Sequence, residues 1–308
     1  MTTATLAEHR ETFPCFGSQC TVIVADARAA QAAHAVGLAR RRLLDWHHQF
    51  SRFEAGSELS RLNADPRPTV PVSPMLRRLV DAAIGAARQT GGLVDPTLAA
   101  EIERAGYASH FDESAGLPLG LALGLAPGRA PARPNPSARW REVSTDRRAA
   151  AVIRPPSVRL DLGGIAKGVF ADELAATLGA FAAFAIDCAG DLRLGGSAAV
   201  PRQVHVESPF DGCALHTFEP AAGALATSGI GRRSWLDERG RPAHHLLDPA
   251  SGRPAFTGVV QATALAPTAA RAEALSKAAL LSGPDVAIEI LVAGGGVLVL
   301  DDGSHQVV

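Results

Sequence analysis

Apolar and polar residues alternate over 20–26 (CTVIVAD), which predicts a strand, and the spacing lengthens to a helical period over 29–50. Ser73-Pro74 pairs a capping hydroxyl with a first-turn proline, a strong helix start. Leu76, Leu79, Val80, Ala83, Ile84 and Ala87 keep the helical period until Thr90-Gly91-Gly92 stops it. Alternation returns at 157–162, 183–188, 191–194, 203–207, 223–227, 259–266 and 297–301, interrupted by helical spacing at 165–180 and about 269–281. Elements of one kind come in runs, and several strands read as hairpin pairs. That predicts an α+β fold over a regularly alternating parallel one. Residues 112–139 (DESAGLPLGLALGLAPGRAPARPNPSAR) break the pattern and read as a Gly/Pro/Ala-rich insertion loop.

One junction poses a chemical question. In RLDLGGIAKGVFADEL (159–174) an alternating run enters a helix through Gly163-Gly164, with Asp161 before the turn and Lys167 after it. A helix start offers free N–H groups and partial positive charge, and glycines let a ligand approach the backbone. A phosphate site with a mobile lysine is one reading; a tight turn with a solvated lysine is the other. The stretch is no Walker loop, which needs G-x-x-x-x-G-K-S/T.

Composition narrows the classes. Lys and Arg total 30 against 31 Asp and Glu, so no electrostatic footprint points to nucleic acid. No run approaches a membrane span. The first residues, MTTATLAEHRETFPC, lack an apolar signal region, which leads to the expectation of a cytoplasmic protein with no membrane partner. Cys15, Cys20, Cys188 and Cys213 form no zinc-like spacing and are expected to be buried free thiols.

Other short pieces place small residues beside polar groups. In SRFEAGSELSRLN (51–63) Ser57 can cap a helix, and Phe53 reads either as a core residue or as a stacking platform for a flat ligand. TGGLVDPTL (90–98) turns sharply at Asp95-Pro96-Thr97, and CAGDLRLGG (188–196) reads as a hairpin or bulge. ATSGIGRRSW (226–235) precedes HHLLDPASGRP (244–254). His244 and His245 would point to opposite faces of a strand, leaving one of them exposed. In RAEALSKAAL (271–280) Glu273 and Lys277 are four apart on a helix, which alone suggests a surface ion pair.

Taken in order, FGS, SRF-x-x-x-SELSRLN, TGG-x-x-DPT, DLGGIAKG, the AGD strand, ATSG, H-x-x-DP-x-SG-x-P and AP-x-A-x-AEAL resemble the FAD:protein FMN transferase (ApbE) family, formerly a thiamine-biosynthesis lipoprotein family. The similarity runs from near residue 15 to near 303, so it implies a single domain over 1–308 with 112–139 inserted. It implies an ApbE-like, T-fold-related α+β fold of mixed and antiparallel sheets packed with helices. It further implies an enzyme that takes FAD as donor and moves FMN to a Ser or Thr of a target flavoprotein, releasing AMP with help from Mg²⁺.

By that resemblance Phe16, Phe53, Leu93, Val94, Asp95, Asp161, Lys167 and Leu247 match FAD-binding positions. Gly164 matches a metal-binding carbonyl. The acceptor hydroxyl must also be relieved of its proton, by His245 or by a carboxylate. The sequence departs from the family at RAEALSK, where A-D-A-x-x-T is usual and the Asp and Thr hold the metal. Glu273 keeps a carboxylate and Ser276 is the nearby hydroxyl, so a metal could still bind through them and backbone carbonyls such as that of Gly164, or Lys277 could stand in for it as a fixed cation. Ala243 stands where a tyrosine precedes the histidine motif. These departures keep two alternatives open: a degenerate FAD-binding protein, or an FAD pyrophosphatase yielding FMN and AMP.

Overall fold

The alternating segments assemble into one eight-stranded sheet in the computed structural model, which describes residues 6–109, 111 and 116–308. In spatial order its strands are Ala7–Cys15, Ser18–Asp26, Ala183–Cys188, Asp191–Gly195, Gly223–Gly229, Val259–Ala266, Gly296–Leu300 and His305–Val307. Neighbouring strands all run antiparallel. The helices are α1 (Ala29–Phe50), α2 (Glu58–Ala64), α3 (Pro74–Gln89), α4 (Ala99–Arg104), α5 (Leu119–Gly124), α6 (Ala166–Leu178), α7 (Ala269–Ser282) and α8 (Pro284–Leu291). Helices packed on antiparallel sheets fulfil the α+β expectation.

Successive side chains of a strand point to opposite faces. Val22, Val24, Phe184, Ile186 and Ala226 therefore turn one face toward buried residues of α1, α3 and α6. Ala185, Leu194 and Leu225 turn the other way, where Val204 and Phe218 of a small hairpin pack on them. A second helix-side core joins Ala262, Ala264 and Leu298 to α7 and α8.

Several expectations need correction. Residues 157–162 form no strand. The segment is extended, but its bonds go elsewhere: the Asn63 side chain bonds both the N–H and the carbonyl of Leu160 at 2.8 Å, and the Asp161 N–H donates to the Pro96 carbonyl. The strand Ala7–Cys15 went unpredicted because it is a sheet edge with few buried positions. Residues 112–115 of the insertion lie outside the described residues. The rest is laid onto the second core, with Leu119, Ala122 and Ala132 buried and α5 formed within it. Cys15, Cys20 and Cys188 are buried free thiols as expected, but Cys213 is exposed. Among the described residues no helix is long and apolar enough to cross a membrane.

α6 and α7 pack backbone to backbone. A Cβ on Gly168 would lie 2.6 Å from the Ala270 nitrogen, so only glycine fits. Asp172 on α6 accepts from the N–H groups of Ala269 and Ala270 and so holds the start of α7, which Thr268 also caps.

Candidate active site

A cavity of about 1070 Å³ opens between the two helix-side cores. That is just above the usual range for small-molecule sites, about 300–1,000 Å³. Its wall includes Phe16, Phe53, Leu93, Val94, Asp95, Asp161, Gly164, Lys167, His245, Leu247 and Lys277. Fragments distant in sequence thus meet at one surface. Glu273 and Ser276 do not line it; both are fully buried behind it.

Local structure fixes each wall. Phe16 and Gly17 both take positive φ, 56° and 72°, in the two-residue turn that joins the first two strands. A bulky residue in that region is an outlier that its surroundings must hold. Here the Phe16 ring stacks on Phe170 at 5.5 Å, and its carbonyl accepts from the Arg233 guanidinium at 2.9 Å. Asp95 folds back on itself, accepting from the Thr97 N–H and hydroxyl, while its second oxygen is buried without a partner. Burial pushes its carboxyl upward. Ala189 and Gly190 form another two-residue turn with positive φ at both positions, which suits a hairpin.

The glycine turn at the entrance to α6 is where the charges gather. The Lys167 ammonium lies 2.6 Å from Asp191, so it is a fixed cation and neither mobile nor solvated. Burial alone would lower it, but the Asp191 and Glu273 carboxylates reverse that and hold it protonated. Lys277 lies 3.0 Å from Glu273, whose other oxygen accepts from the Gly168 N–H at 2.9 Å. Burial opposes charge on Glu273, yet the two ammoniums and this N–H keep it ionised. This is no surface ion pair: Glu273 is 0% exposed.

His245 sits across the wall. Neither histidine of the pair is exposed: His244 is buried against the Phe256 ring, and His245 is half-buried and lines the cavity. Its Nδ1 is buried without a hydrogen-bond partner. Burial, then the charges of Arg233 and Lys277, hold this imidazole well below its ordinary value and therefore neutral. A neutral imidazole among cations can accept a proton from a hydroxyl beside a bound anion.

The ApbE family model matches residues 16–299, nearly the whole chain. This protein belongs to the ApbE family. The FAD:protein FMN transferase of Haemophilus influenzae is 26% identical over 260 residues, which cover 80% of this chain and 72% of the relative. That of Rhodobacter capsulatus is 27% identical over 313 residues, 98% of this chain but only 57% of the relative. Solved structures share the fold. The ApbE protein of Thermotoga maritima superposes with a TM-score of 0.80 at 24% identity, covering 98% and 97% of the two chains. Flavin transferase ApbE from Vibrio cholerae gives 0.74 at 21%, with the same coverage.

The donor set does not fit the magnesium that the ApbE resemblance implies. Mg²⁺ needs near-octahedral oxygen ligands at about 2.0–2.1 Å. Both Glu273 oxygens are engaged by Lys277 and the Gly168 N–H. The Ser276 hydroxyl bonds Ser228 at 2.8 Å and the Glu273 carbonyl at 3.1 Å. The Lys277 stem packs over Gly164, where a Cβ would sit 3.6 Å from its Cε. Among the described residues no group of three or more His, Cys, Asp or Glu is placed to hold a metal.

Sequence reasoning missed some wall residues. The Arg52 guanidinium pairs with Asp161 at 2.8 Å, stacks over Phe53 at 4.1 Å and lies 4.9 Å from the Tyr107 ring. Its place beside Phe53 was a usable signal, since Arg favours aromatic faces. Tyr107 stacks on Trp235 at 5.7 Å, and Trp235 pairs across a two-strand ladder with Ala243. Aromatic bulk near the missing tyrosine therefore comes from elsewhere in the chain, which no local motif reveals. Asp191 was visible only as the break in a strand.

Proposed function

We propose that this protein is an FAD:protein FMN transferase, taking FAD as donor and a target flavoprotein with an acceptor Ser or Thr as partner. One observation carries the reading: a dinucleotide-sized cavity presents a neutral imidazole, His245, and two fixed ammoniums, Lys167 and Lys277, on the same wall. The diphosphate of FAD would lie at the α6 entrance, against Gly163, Gly164 and Lys167. Asp161 stays tied to Arg52 and orients the turn by accepting from the Gly163 N–H at 2.7 Å. Phe53, backed by Tyr107, offers the flavin an aromatic face, and Phe16, Leu93, Val94, Asp95 and Leu247 complete the cofactor's walls. Relatives named FAD:protein FMN transferase support transfer over an inactive binder or a hydrolase.

In the step itself the acceptor oxygen bonds the phosphorus on the flavin side. The bond from that phosphorus to the bridging oxygen breaks, and the electron pair leaves with AMP. His245 takes the hydroxyl proton. Charge growing on the leaving phosphate is met by the ammoniums, a preorganised form of stabilisation. No part of this reading passes through Mg²⁺, because the residues around Glu273 do not fit it.

Intact-mass spectrometry tests the reading. An acceptor domain with an exposed Ser or Thr is incubated with the protein and FAD. A mass gain of one FMN, with AMP released, is the expected result. Free FMN and AMP without an adduct would show a pyrophosphatase, and intact bound FAD would show a binder.

A further inference from the structure

We propose that the Lys277 ammonium, steadied by Glu273 and flanked by Lys167, serves this site in place of a divalent cation, so that the diphosphate is bound and cleaved without a metal. The inference rests on the reading of the cavity as an FAD site.

The arrangement of two ammoniums backed by two buried carboxyl groups carries it. Lys167 and Lys277 line the cavity, while their partners Asp191 and Glu273 do not. Both carboxylates are buried behind the wall, Asp191 at 1% and Glu273 at 0% exposure. The two ion pairs thus point their positive ends at the ligand and their negative ends into the protein. A bound dication would present the same face to a diphosphate: two positive charges at fixed positions. A buried carboxyl group within ion-pair reach holds each ammonium in place.

The same geometry shuts a metal out. Each Glu273 oxygen already serves one donor, Lys277 or the Gly168 N–H, so a cation there would have to compete with both. The close approach of α6 and α7 brings the Gly168 N–H to Glu273, and turning the carboxylate toward the cavity would give up that bond. The Ser276 hydroxyl is buried and already bonded to Ser228 and to the Glu273 carbonyl. An incoming cation at Gly164 would meet the Lys277 stem and its charge. Hard cations want several free oxygens, and an adjacent ammonium repels them.

In the transfer step the ammonium moves no atom. It stabilises the negative charge that collects on the AMP oxygen as the bond to the flavin-side phosphorus breaks. Lys277 is therefore a catalytic residue in contact with substrate, while Glu273 acts through it as a positioning residue.

The test reads FAD affinity and metal uptake as well as turnover. FAD binding to the EDTA-treated protein is titrated with and without millimolar Mg²⁺, and Mn²⁺ uptake is followed by electron paramagnetic resonance. The parent protein should bind FAD equally well in both conditions and take up no Mn²⁺ beyond an FAD-only control. Lys277→Thr should weaken FAD binding in EDTA by about ten- to hundredfold, the size of one charge-assisted hydrogen bond, and should gain a response to Mg²⁺. Lys277→Arg should keep metal-free binding. Should Lys277→Thr fail to fold with Glu273 left unpaired, the double variant Glu273→Gln/Lys277→Met removes both charges and should show the same loss. Stoichiometric Mn²⁺ uptake by the parent, or FAD binding that requires Mg²⁺, overturns the proposal while leaving the FAD site standing. Unchanged metal-free affinity in the folded variants also overturns it. A parent protein that binds no FAD in either condition sinks the FAD reading and this proposal with it.

Discussion

At the scale of single residues, His245 shows what motif reading delivers and what it omits. The motif supplied the residue. It did not show that the imidazole is withdrawn from water near the charges of Arg233 and Lys277, which lowers its proton affinity. Lys167 is the complementary case: the spacing located the ammonium, but its partner Asp191 sits on a strand 24 positions later and looked like a turn marker. His245→Ala should lower kcat by about 10²–10⁴-fold, the usual worth of a positioned base, with FAD affinity little changed. The pH dependence follows from burial first and from the surrounding charges second. A base with a lowered pKa works above that pKa and fails as pH falls through it, so the acid limb of kcat/KM should lie well below pH 6.5. Bound FAD brings phosphate charges that oppose those of Arg233 and Lys277 and raise the imidazole again. The acid limb of kcat should therefore sit at higher pH than that of kcat/KM. Rate profiles from pH 4 to 8 check this, and coincident limbs would count against His245 as the base.

Elements were legible where one pattern held over many residues. α1 was predicted with the bounds 29–50 because it keeps one buried stripe, and the strand at 259–266 because both faces are covered. The segment 157–162 alternates equally well but joins no sheet, since alternation reports which side is buried and says nothing about a partner strand. Contact between helices is likewise silent in the sequence. Gly168 looked like one more glycine in GIAKG, yet it sets the approach of α6 to α7 and so the position of Lys277. Gly168→Ala should destabilise the protein by about 1–3 kcal/mol, as overpacking does, and should weaken FAD binding by shifting Glu273 and Lys277. Gly85→Ala is the control. Gly85 lies within α3 with nothing within 4 Å of a new Cβ, so the change should stabilise by about 0.5–1 kcal/mol. Urea denaturation of the two variants decides; equal behaviour would mean that α6 and α7 can part without consequence.

On the scale of the molecule, the cavity exists because two cores meet without closing. One is built mainly from α1, α3 and α6, the other from α8 and the insertion; α7 contributes to both, and they share the sheet. The parts were visible in the sequence and their order suggested a common site. The pairing of Arg52 with Asp161, over a hundred positions apart, could not be read, because it depends on how the segments around Phe50 and Leu160 fold into the first core. A ligand spanning such a gap should stabilise the fold as a whole. At FAD concentrations about a hundredfold above its Kd the gain is about 2.7 kcal/mol. At roughly 2–4 °C per kcal/mol for a chain of this size, Tm should rise by about 5–10 °C. Hydrogen exchange should locate the effect. Protection is expected at 51–56, 161–168 and 231–235, which wall the cavity from different parts of the chain, and little at the edge strands Ala7–Cys15 and His305–Val307. Protection confined to 161–168 would describe a phosphate site without a flavin pocket. Protection at all three segments would mean that both ends of the dinucleotide are held, which transfer of its flavin half requires.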